Sequence, residues 1–204
     1  MKPFVVGIAG GSGSGKTSVA LALQAALPGL VTIFHMDDYF RPAAEVPLRA
    51  SRHNWDDPRA LYYSQMAKDL AHLKAGESVI INTKSPLLNP DFPRSGQRIP
   101  ISFQPKPLLI VEGAFALYYP KIRQLLDLSI YLDAPFHTHV SRREHSQPQT
   151  AEHPDDYRRL VLRPMHDRFV GPSKVHAEVR LDAAQLNQKQ VVRHIMTLLA
   201  PQLT

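Results

Sequence analysis

Gly10-Gly11-Ser12-Gly13-Ser14-Gly15-Lys16-Thr17 is the stretch of this sequence that decides the fold. It matches the phosphate-loop pattern, which is a glycine, four free positions and then Gly-Lys-Ser/Thr. The residues before it, 4–9, predict a short buried strand, and the residues after it, 18–27, predict a helix. A flexible Gly/Ser linker would have no reason to lie between a buried strand and an apolar helix. The stretch therefore predicts a phosphate-binding loop in an α/β fold.

Each residue type in this loop suits a bound polyphosphate. Glycines let the backbone fold around an anion with its N–H groups pointing inward, and the helix N-terminus adds partial positive charge. We expect Lys16 to reach the β- and γ-phosphates of a bound nucleotide and the Thr17 hydroxyl to ligate Mg²⁺. The predicted nucleotide-binding residues are Gly11, Ser12, Gly13, Ser14, Gly15, Lys16, Thr17 and Ser18.

Length and composition predict an ordinary globular protein. The 204 residues, 44% hydrophobic and 21% charged, suit one domain over 1–204. No apolar run approaches the roughly 18 residues of a membrane span, and the first strand begins too early to leave room for a signal peptide. The absence of cysteine excludes disulfides and is compatible with a reducing cytoplasm, where we expect the protein to lie.

The net charge of +6 does not require a nucleic-acid partner. The basic residues are dispersed apart from two clusters, at 142–143 and 158–163, which phosphorylated ligands explain equally well. We therefore expect small-molecule partners, namely a nucleotide donor and an acceptor, without nucleic acid or membrane. Homo-oligomerisation is left open.

Short apolar runs alternate with helical stretches, which predicts a three-layer phosphate-loop fold with a mainly parallel sheet. The predicted strands are 4–9, 31–34, 78–81, 108–113, 128–132 and 179–181, and the predicted helices are 18–27, 59–74, 133–144, 155–169 and 188–199. Pro164 should kink or split its helix. Six prolines between 86 and 107 argue against a helix or a central strand, so 82–107 is predicted to be an acceptor-side hairpin or loop. A short lid is predicted at 142–154.

The absence of certain motifs excludes several classes of phosphate-loop protein. Neither the Asn-Lys-x-Asp segment nor the Asp-x-x-Gly switch of a GTPase is present. A motor ATPase usually ends a hydrophobic strand with Asp-Glu, whereas Glu112 is followed by Gly113. A small-molecule kinase needs a base beside the acceptor hydroxyl, cations over the transferring phosphoryl group and an acceptor pocket, and candidates for all three occur here.

Several motifs together resemble the uridine kinase / phosphoribulokinase family, in the family's order and over most of the chain. They are the phosphate loop, Asp37-Asp38-Tyr39-Phe40, Asn54-Trp55-Asp56-Asp57-Pro58, Ile110-Val111-Glu112-Gly113, and Arg163-Pro164-Met165-His166 with Phe169 and Pro172-Ser173-Lys174. The resemblance implies an ATP- and Mg²⁺-dependent kinase that phosphorylates the ribose 5′-hydroxyl of a nucleoside.

The resemblance also assigns roles to single residues. Asp37 would be the general base, Asp56 would hold the ribose hydroxyls, and Glu112 would lie near Mg²⁺ with Thr17. Arg142 and Arg143 would be the lid cations, so that Asp37, Lys16, Arg142 and Arg143 form the predicted catalytic set.

Simpler structural roles compete with some of these assignments. Tyr39, predicted to bind substrate, and Trp55 either stack on the ligand or fill the core. Asp38 could cap a turn, and Arg142-Arg143 could belong to a solvated helix face. His137 and His139 are two apart and would diverge on a helix, so we expect no metal chelate there.

Two departures from the family pattern keep the acceptor open. The sequence after Arg142-Arg143 is short and poor in charge, which looks closer to nicotinamide riboside kinases. The hairpin reads 87–92 Leu-Leu-Asn-Pro-Asp-Phe, where uridine kinases show a Tyr-Asp and a His that read the base. The alternatives are nicotinamide riboside, pantothenate or a sugar phosphate as acceptor, or a nucleotide-binding regulatory protein without transferase activity.

Overall fold

In a computed structural model of the chain, the described residues are 2–85, 88–136, 138 and 154–203. Their strands are β1 (Phe4–Gly10), β2 (Val31–His35), β3 (Leu48–Arg49), β4 (Arg52–His53), β5 (Val79–Thr83), β6 (Ile99–Phe103), β7 (Leu108–Glu112), β8 (Leu128–Asp133) and β9 (Val179–Asp182). Five strands form a parallel sheet in the order β2-β7-β1-β8-β9. The predicted parallel α/β architecture is confirmed.

The helices are α1 (Lys16–Ala26), α2 (Tyr63–Ala75), α3 (Phe92–Ser95), α4 (Pro120–Arg123), α5 (154–170) and α6 (Gln188–Leu199). Short 3-10 turns cover Met36–Tyr39, Ala43–Glu45, Pro58–Ala60, Gly171–His176 and Ala200–Gln202. Helix α2 begins later than the predicted residue 59, because Leu61 is extended and bridges to Phe40. Among the residues that the structure describes, no helix combines the length and apolar character that crossing a membrane would require.

The sheet separates two apolar clusters, which makes the fold three-layered. Successive strand side chains point to opposite faces, and in β1 Val6 and Ile8 join the cluster that contains α1 and α6. Val5 and Ala9 join the cluster on the other face, which contains α2. Both faces of the sheet are covered, which is why β7 is buried throughout and consists almost wholly of apolar residues.

Parallel pairing brings three functional segments to one edge of the sheet. In the register of β2 with β7, His35 lies opposite Glu112, and Ile8 of β1 lies opposite Glu112 on its other side. Gly113 follows β7, and a Cβ atom there would lie 2.6 Å from Met36. The absence of a side chain therefore lets the 36–39 turn pack directly against the end of β7, close to the phosphate loop.

Strands β5 and β6 form an antiparallel hairpin outside the main sheet. The segment between them contains one helical turn, α3, where the prolines predicted none. The expectation was wrong because Pro93 lies in the first turn of α3, where a missing N–H costs no helical hydrogen bond. Asp38 ties this hairpin to the sheet through hydrogen bonds from Thr83 and Lys84.

Helix α5 is distorted around Pro164, as predicted. Two π-helical stretches, Arg158–Leu162 and His166–Val170, flank the proline. Pro164 has no N–H to donate to the preceding turn, which leaves that turn short of a donor. The Leu160 carbonyl in the same turn accepts a hydrogen bond of 2.8 Å from Arg49 Nε instead. The proline thus helps to dock α5 onto the loop that contains β3 and β4.

The two-residue turn between β3 and β4 is strained, because Ala50 and Ser51 have φ of 49° and 58°. A turn with positive φ at both positions prefers Asn-Gly. We expect the double substitution Ala50→Asn and Ser51→Gly to raise the free energy of unfolding by about 1 kcal/mol. Chemical denaturation would measure the gain, and Ser51→Val should lower stability instead. Equal stability of all three proteins would contradict this interpretation of the turn.

Candidate active site

The phosphate loop joins β1 to α1 with the backbone conformations expected of an anion cradle. Gly13 and Gly15 have φ of 84° and 92°, in the left-handed region that favours glycine. Gly15 is the N-cap of α1 and no side chain caps this helix, so its first N–H groups point into the cleft without an intrahelical acceptor. The buried Ser14 hydroxyl has no hydrogen-bond partner among the described residues. These polar groups fit a bound phosphate.

Lys16 and Thr17 follow the loop in the first turn of α1. Lys16 Nζ donates a hydrogen bond of 2.9 Å to the Gly11 carbonyl, so the side chain folds back over the loop. Thr17 Oγ1 lies 3.2 Å from both carboxylate oxygens of Glu112. The structure thus brings together the two residues that the sequence predicted as the metal site.

Glu112 ends β7 as a buried carboxylate, and it is paired with a residue that the sequence analysis missed. His35 Nδ1 lies 2.8 Å from Glu112 Oε1. Burial alone would raise the pKa of Glu112, but the hydrogen bond and charge of His35, with Lys16, hold it below its ordinary value. Burial also opposes protonation of His35, yet Glu112 raises the pKa of the imidazole above 6.5. The pair is therefore an ion pair at mildly acidic pH.

This ion pair predicts a pH-dependent contribution to stability. A raised His35 pKa stabilises the fold fully below the unfolded value, near 6.5, and the contribution is lost as pH rises through the folded pKa. We expect His35→Gln to lower the free energy of unfolding most near pH 6 and progressively less at higher pH. Urea titrations of the metal-free protein at several pH values would measure this, and a loss that grows with pH would contradict it.

Adjacent carboxylates in the 36–39 turn have different surroundings. Asp38 is buried and accepts hydrogen bonds from Thr83 Oγ1 (3.0 and 3.1 Å) and the Lys84 N–H (2.8 Å). Asp37 is exposed, and its carboxylate interacts electrostatically with Lys16 and Glu112. The dense protein around it raises the pKa of Asp37, and the positive charge of Lys84 opposes that rise. Asp38 is thus a structural residue, and Asp37 is the one open to chemistry.

The structure places Tyr39 in the core. Its ring is buried and stacks on Phe34 with centroids 5.3 Å apart, and its hydroxyl donates to Asp69 at 2.8 Å. This geometry does not support the predicted contact of Tyr39 with substrate, because the hydroxyl is committed to α2. The next residue, Phe40, is half-buried and packs edge-to-face on Trp55 at 5.7 Å.

Lys84 is a second residue that the sequence analysis missed. Its Nζ lies 4.8 Å from the centroid of the Phe40 ring, and burial lowers its pKa even though Asp37 and Asp38 attract the charge. The sequence signal was weak because Lys84 stands outside any motif, one residue after β5. Only the folding of the hairpin against the 36–39 turn brings it to Asp37.

Asp56 and Asp57 also differ. Asp57 is buried and caps the following turn, accepting the Arg59 N–H at 2.8 Å and pairing with the Arg59 guanidinium. Asp56 is half-buried and accepts a hydrogen bond of 2.8 Å from the Tyr157 hydroxyl of α5. This hydrogen bond thus connects Asp56, the residue predicted to bind the acceptor, to α5. Arg142 and Arg143, with the predicted lid at 142–154 apart from Pro154, lie outside the described residues.

The Mg²⁺ ion that a phosphate-loop kinase uses fits the donors present. Hard oxygen ligands are what this ion prefers, and it is usually bound by one or two carboxylates together with substrate phosphates. The Glu112 carboxylate and the Thr17 hydroxyl supply such oxygens next to the phosphate loop. Among the described residues, no group of three or more acidic, His or Cys side chains could hold a metal by itself.

A phosphate loop, an acid at the end of β7 and an exposed carboxylate at the end of β2 define a phosphate-loop kinase site. Comparisons with known proteins agree. The Phosphoribulokinase / Uridine kinase family pattern matches residues 5–185. A uridine kinase from Macrococcus caseolyticus is 33% identical over 184 residues, which is 87% of each chain, and one from Staphylococcus epidermidis is 32% identical over 95% of this chain and 93% of the relative.

Solved structures show the same fold. A structure described as a possible uridine kinase from Bacillus stearothermophilus has a TM-score of 0.64 at 19% identity, covering 89% of this chain and 90% of that chain. Shikimate kinase from Acinetobacter baumannii has a TM-score of 0.51 at 15% identity, covering 99% and 96%. The chain therefore belongs to the phosphoribulokinase / uridine kinase family, and the prediction of a phosphotransferase is confirmed.

Proposed function

We propose that this protein transfers the γ-phosphoryl group of ATP, with Mg²⁺, to the 5′-hydroxyl of a nucleoside or a nucleoside-like ribose. The observation that carries the proposal is the exposed Asp37 carboxylate at the end of β2, which interacts electrostatically with Lys16 and Glu112. A carboxylate there can accept a proton from an alcohol that approaches the terminal phosphoryl group.

Asp37 would act as the general base. It must be ionised to accept the hydroxyl proton. Loss of hydration near the protein disfavours that form, whereas the positive charges of Lys84 and Lys16 favour it. The two lysines thus offset part of the cost of keeping this carboxylate ionised.

The phosphate loop and the end of β7 would hold the donor. The N–H groups of the loop and Lys16 would bind the β- and γ-phosphates, and Thr17 with Glu112 would hold Mg²⁺. When bound, the ion neutralises charge on the phosphate oxygens as the phosphoryl group is transferred. His35 would orient Glu112 through its hydrogen bond, as the hydrogen-bond partners of metal ligands commonly do.

Asp56 would bind the ribose hydroxyls, oriented by the hydrogen bond from Tyr157. By the family resemblance, Arg142 and Arg143 would place their charges over the transferring phosphoryl group. Phe40 and Trp55 form a half-buried aromatic pair. Phe40 comes shortly after Asp37 in the chain, and Trp55 directly precedes Asp56. We assign to this pair the contact with the acceptor ring that was predicted for Tyr39.

Nicotinamide riboside is the second candidate acceptor, because one observation weakens the case for uracil. The amide of Asn89 donates to the Thr83 carbonyl (3.3 Å) and the Gln97 carbonyl (2.8 Å), so this buried side chain closes the hairpin loop instead of facing a base. Both hydrogen bonds of the Asn89 amide nitrogen are thus made within the hairpin and not to a ligand.

A panel of alcohols incubated with Mg²⁺·ATP and scored by ADP release tests the proposal. Uridine, cytidine and nicotinamide riboside cover the proposed class, and pantothenate represents a different alcohol. We expect turnover with at least one of the three ribosides and none above background with pantothenate. ATP binding without turnover of any riboside would instead support a nucleotide-binding regulatory protein and overturn the proposal.

A further inference from the structure

A cavity of about 330 Å³ lies next to helix α5, on the side of the loop that contains β3 and β4. None of the residues assigned to phosphoryl transfer lines it. Its lining includes Leu48, Arg49, Arg59, Tyr118, Arg168 and Phe169. The volume suits one small molecule, because ligand pockets begin at roughly 300 Å³.

The cavity is cationic, with three arginines against one carboxylate. Arg59 already pairs with that carboxylate, Asp57, at 2.8 and 3.0 Å. Arg49 is held by the hydrogen bond from its Nε to the Leu160 carbonyl, and the Arg168 guanidinium lies 5.1 Å from the Phe169 ring centroid. All three arginines line the same small cavity. Guanidinium groups are well suited to bind the oxygens of a phosphate.

The rest of the wall combines the polar Asn54 with apolar and aromatic side chains. Tyr118 and Phe169 pack edge-to-face with centroids 5.4 Å apart, next to the buried Met165. Leu48, which also lines the cavity, is 68% exposed and leaves an apolar side chain open to a ligand. An apolar and aromatic wall next to a cationic rim suits a ligand with a planar ring and a charged end.

We propose that this cavity is a binding site for a nucleoside monophosphate, separate from the phosphate-loop cleft. Its phosphate ester binds Arg168 and Arg49, and its base packs against the wall of Tyr118, Phe169 and Leu48. An acidic peptide would need a longer surface than this cavity offers. The proposal does not depend on the protein's transferase activity.

Equilibrium dialysis with UMP tests the site. The protein is first loaded with Mg²⁺ and a non-hydrolysable ATP analogue. The γ-phosphate of the analogue then occupies the position at the phosphate loop that the phosphate of UMP would take if UMP bound there as a reaction product. We expect one UMP per chain, bound at least tenfold more weakly by Arg168→Gln and unchanged in Arg94→Gln, which alters an exposed arginine elsewhere. Arg168→Lys should fall between them, because it keeps the charge and loses the planar fork.

Three results would overturn the proposal. One is the absence of UMP binding by the protein loaded with the ATP analogue. Another is binding that is lost in Asp56→Asn and retained in Arg168→Gln, which would place UMP in the acceptor pocket. The third is inorganic phosphate binding as tightly as UMP, which would remove the role of the aromatic wall. Uridine, which lacks the phosphate, should not displace UMP from this cavity. Melting temperatures within a few degrees of the wild type show that the variants fold.

Discussion

Replacing Asp37 with asparagine is expected to lower kcat by about 10²- to 10⁴-fold, which is the range that general base catalysis contributes. The substitution keeps the shape of the side chain and removes its ability to accept a proton. The phosphate loop is untouched, so the Kd of a non-hydrolysable ATP analogue should change by less than about threefold. Initial rates of ADP release with the best acceptor, together with calorimetric titration of the analogue, measure both quantities.

The neighbouring carboxylate provides a matched control. Asp38→Asn should lower the free energy of unfolding by about 1–3 kcal/mol, because the buried carboxylate accepts hydrogen bonds from Thr83 and Lys84. Turnover measured well below its melting temperature should stay within about tenfold of wild type. If the two substitutions reduced kcat equally, Asp37 would have no special role as the base.

The pH dependence of the reaction should report the charge next to Asp37. The base is active above its pKa, so kcat/KM should fall as pH decreases through a value above the 3.8 of an ordinary aspartate, because burial raises the pKa of Asp37. Lys84 opposes this rise. Lys84→Met should therefore move the acidic limb of the profile to higher pH, and movement to lower pH would contradict the assignment.

Replacing Glu112 with glutamine is the second substitution with a large expected effect. It removes the negative charge that would bind Mg²⁺ beside Thr17, and we expect kcat to fall about 10²-fold and the Mg²⁺ concentration for half-maximal rate to rise at least tenfold. It also leaves buried His35 without its ionic partner, at a cost of about 1–3 kcal/mol in unfolding free energy. Rates over a Mg²⁺ series and urea denaturation measure these effects.

Glu178 offers the control for this change. Its carboxylate accepts the Ser129 N–H (2.8 Å) and the Ser129 hydroxyl (3.0 Å), beside β8 and away from the phosphate loop. Glu178→Gln should lower stability without changing the Mg²⁺ dependence. If Glu112→Gln lowered stability but left the Mg²⁺ dependence unchanged, Glu112 would be a structural acid and the metal assignment would fail.

Much of the fold could be predicted because its signals are local. Short apolar runs predict β1, β7 and β8 to within one or two residues, and α6 lies at the predicted 188–199. The phosphate-loop pattern predicts its own strand–loop–helix context. The helix in the hairpin was missed because a proline is harmless in a first helical turn, which the count of prolines does not reveal.

The site was predicted unevenly. Lys16, Thr17, Asp37 and Glu112 meet at one edge of the sheet, as parallel strand ends must. His35 and Lys84 could not be ranked from sequence, since each becomes important only through a partner distant along the chain, Glu112 for one and Asp37 for the other.

The order of residues was sufficient to determine an α/β phosphate-loop kinase and the loop that holds the phosphates, because those features depend on neighbours in the chain. Tertiary structure alone decided which of two adjacent aspartates faces the cleft and that Tyr39 packs into the core. It also decided that three arginines from the β3–β4 loop, the 54–59 segment and α5 border one cavity. Side-chain surroundings of this kind arise from contacts between distant segments, and such contacts exist only once the chain has folded.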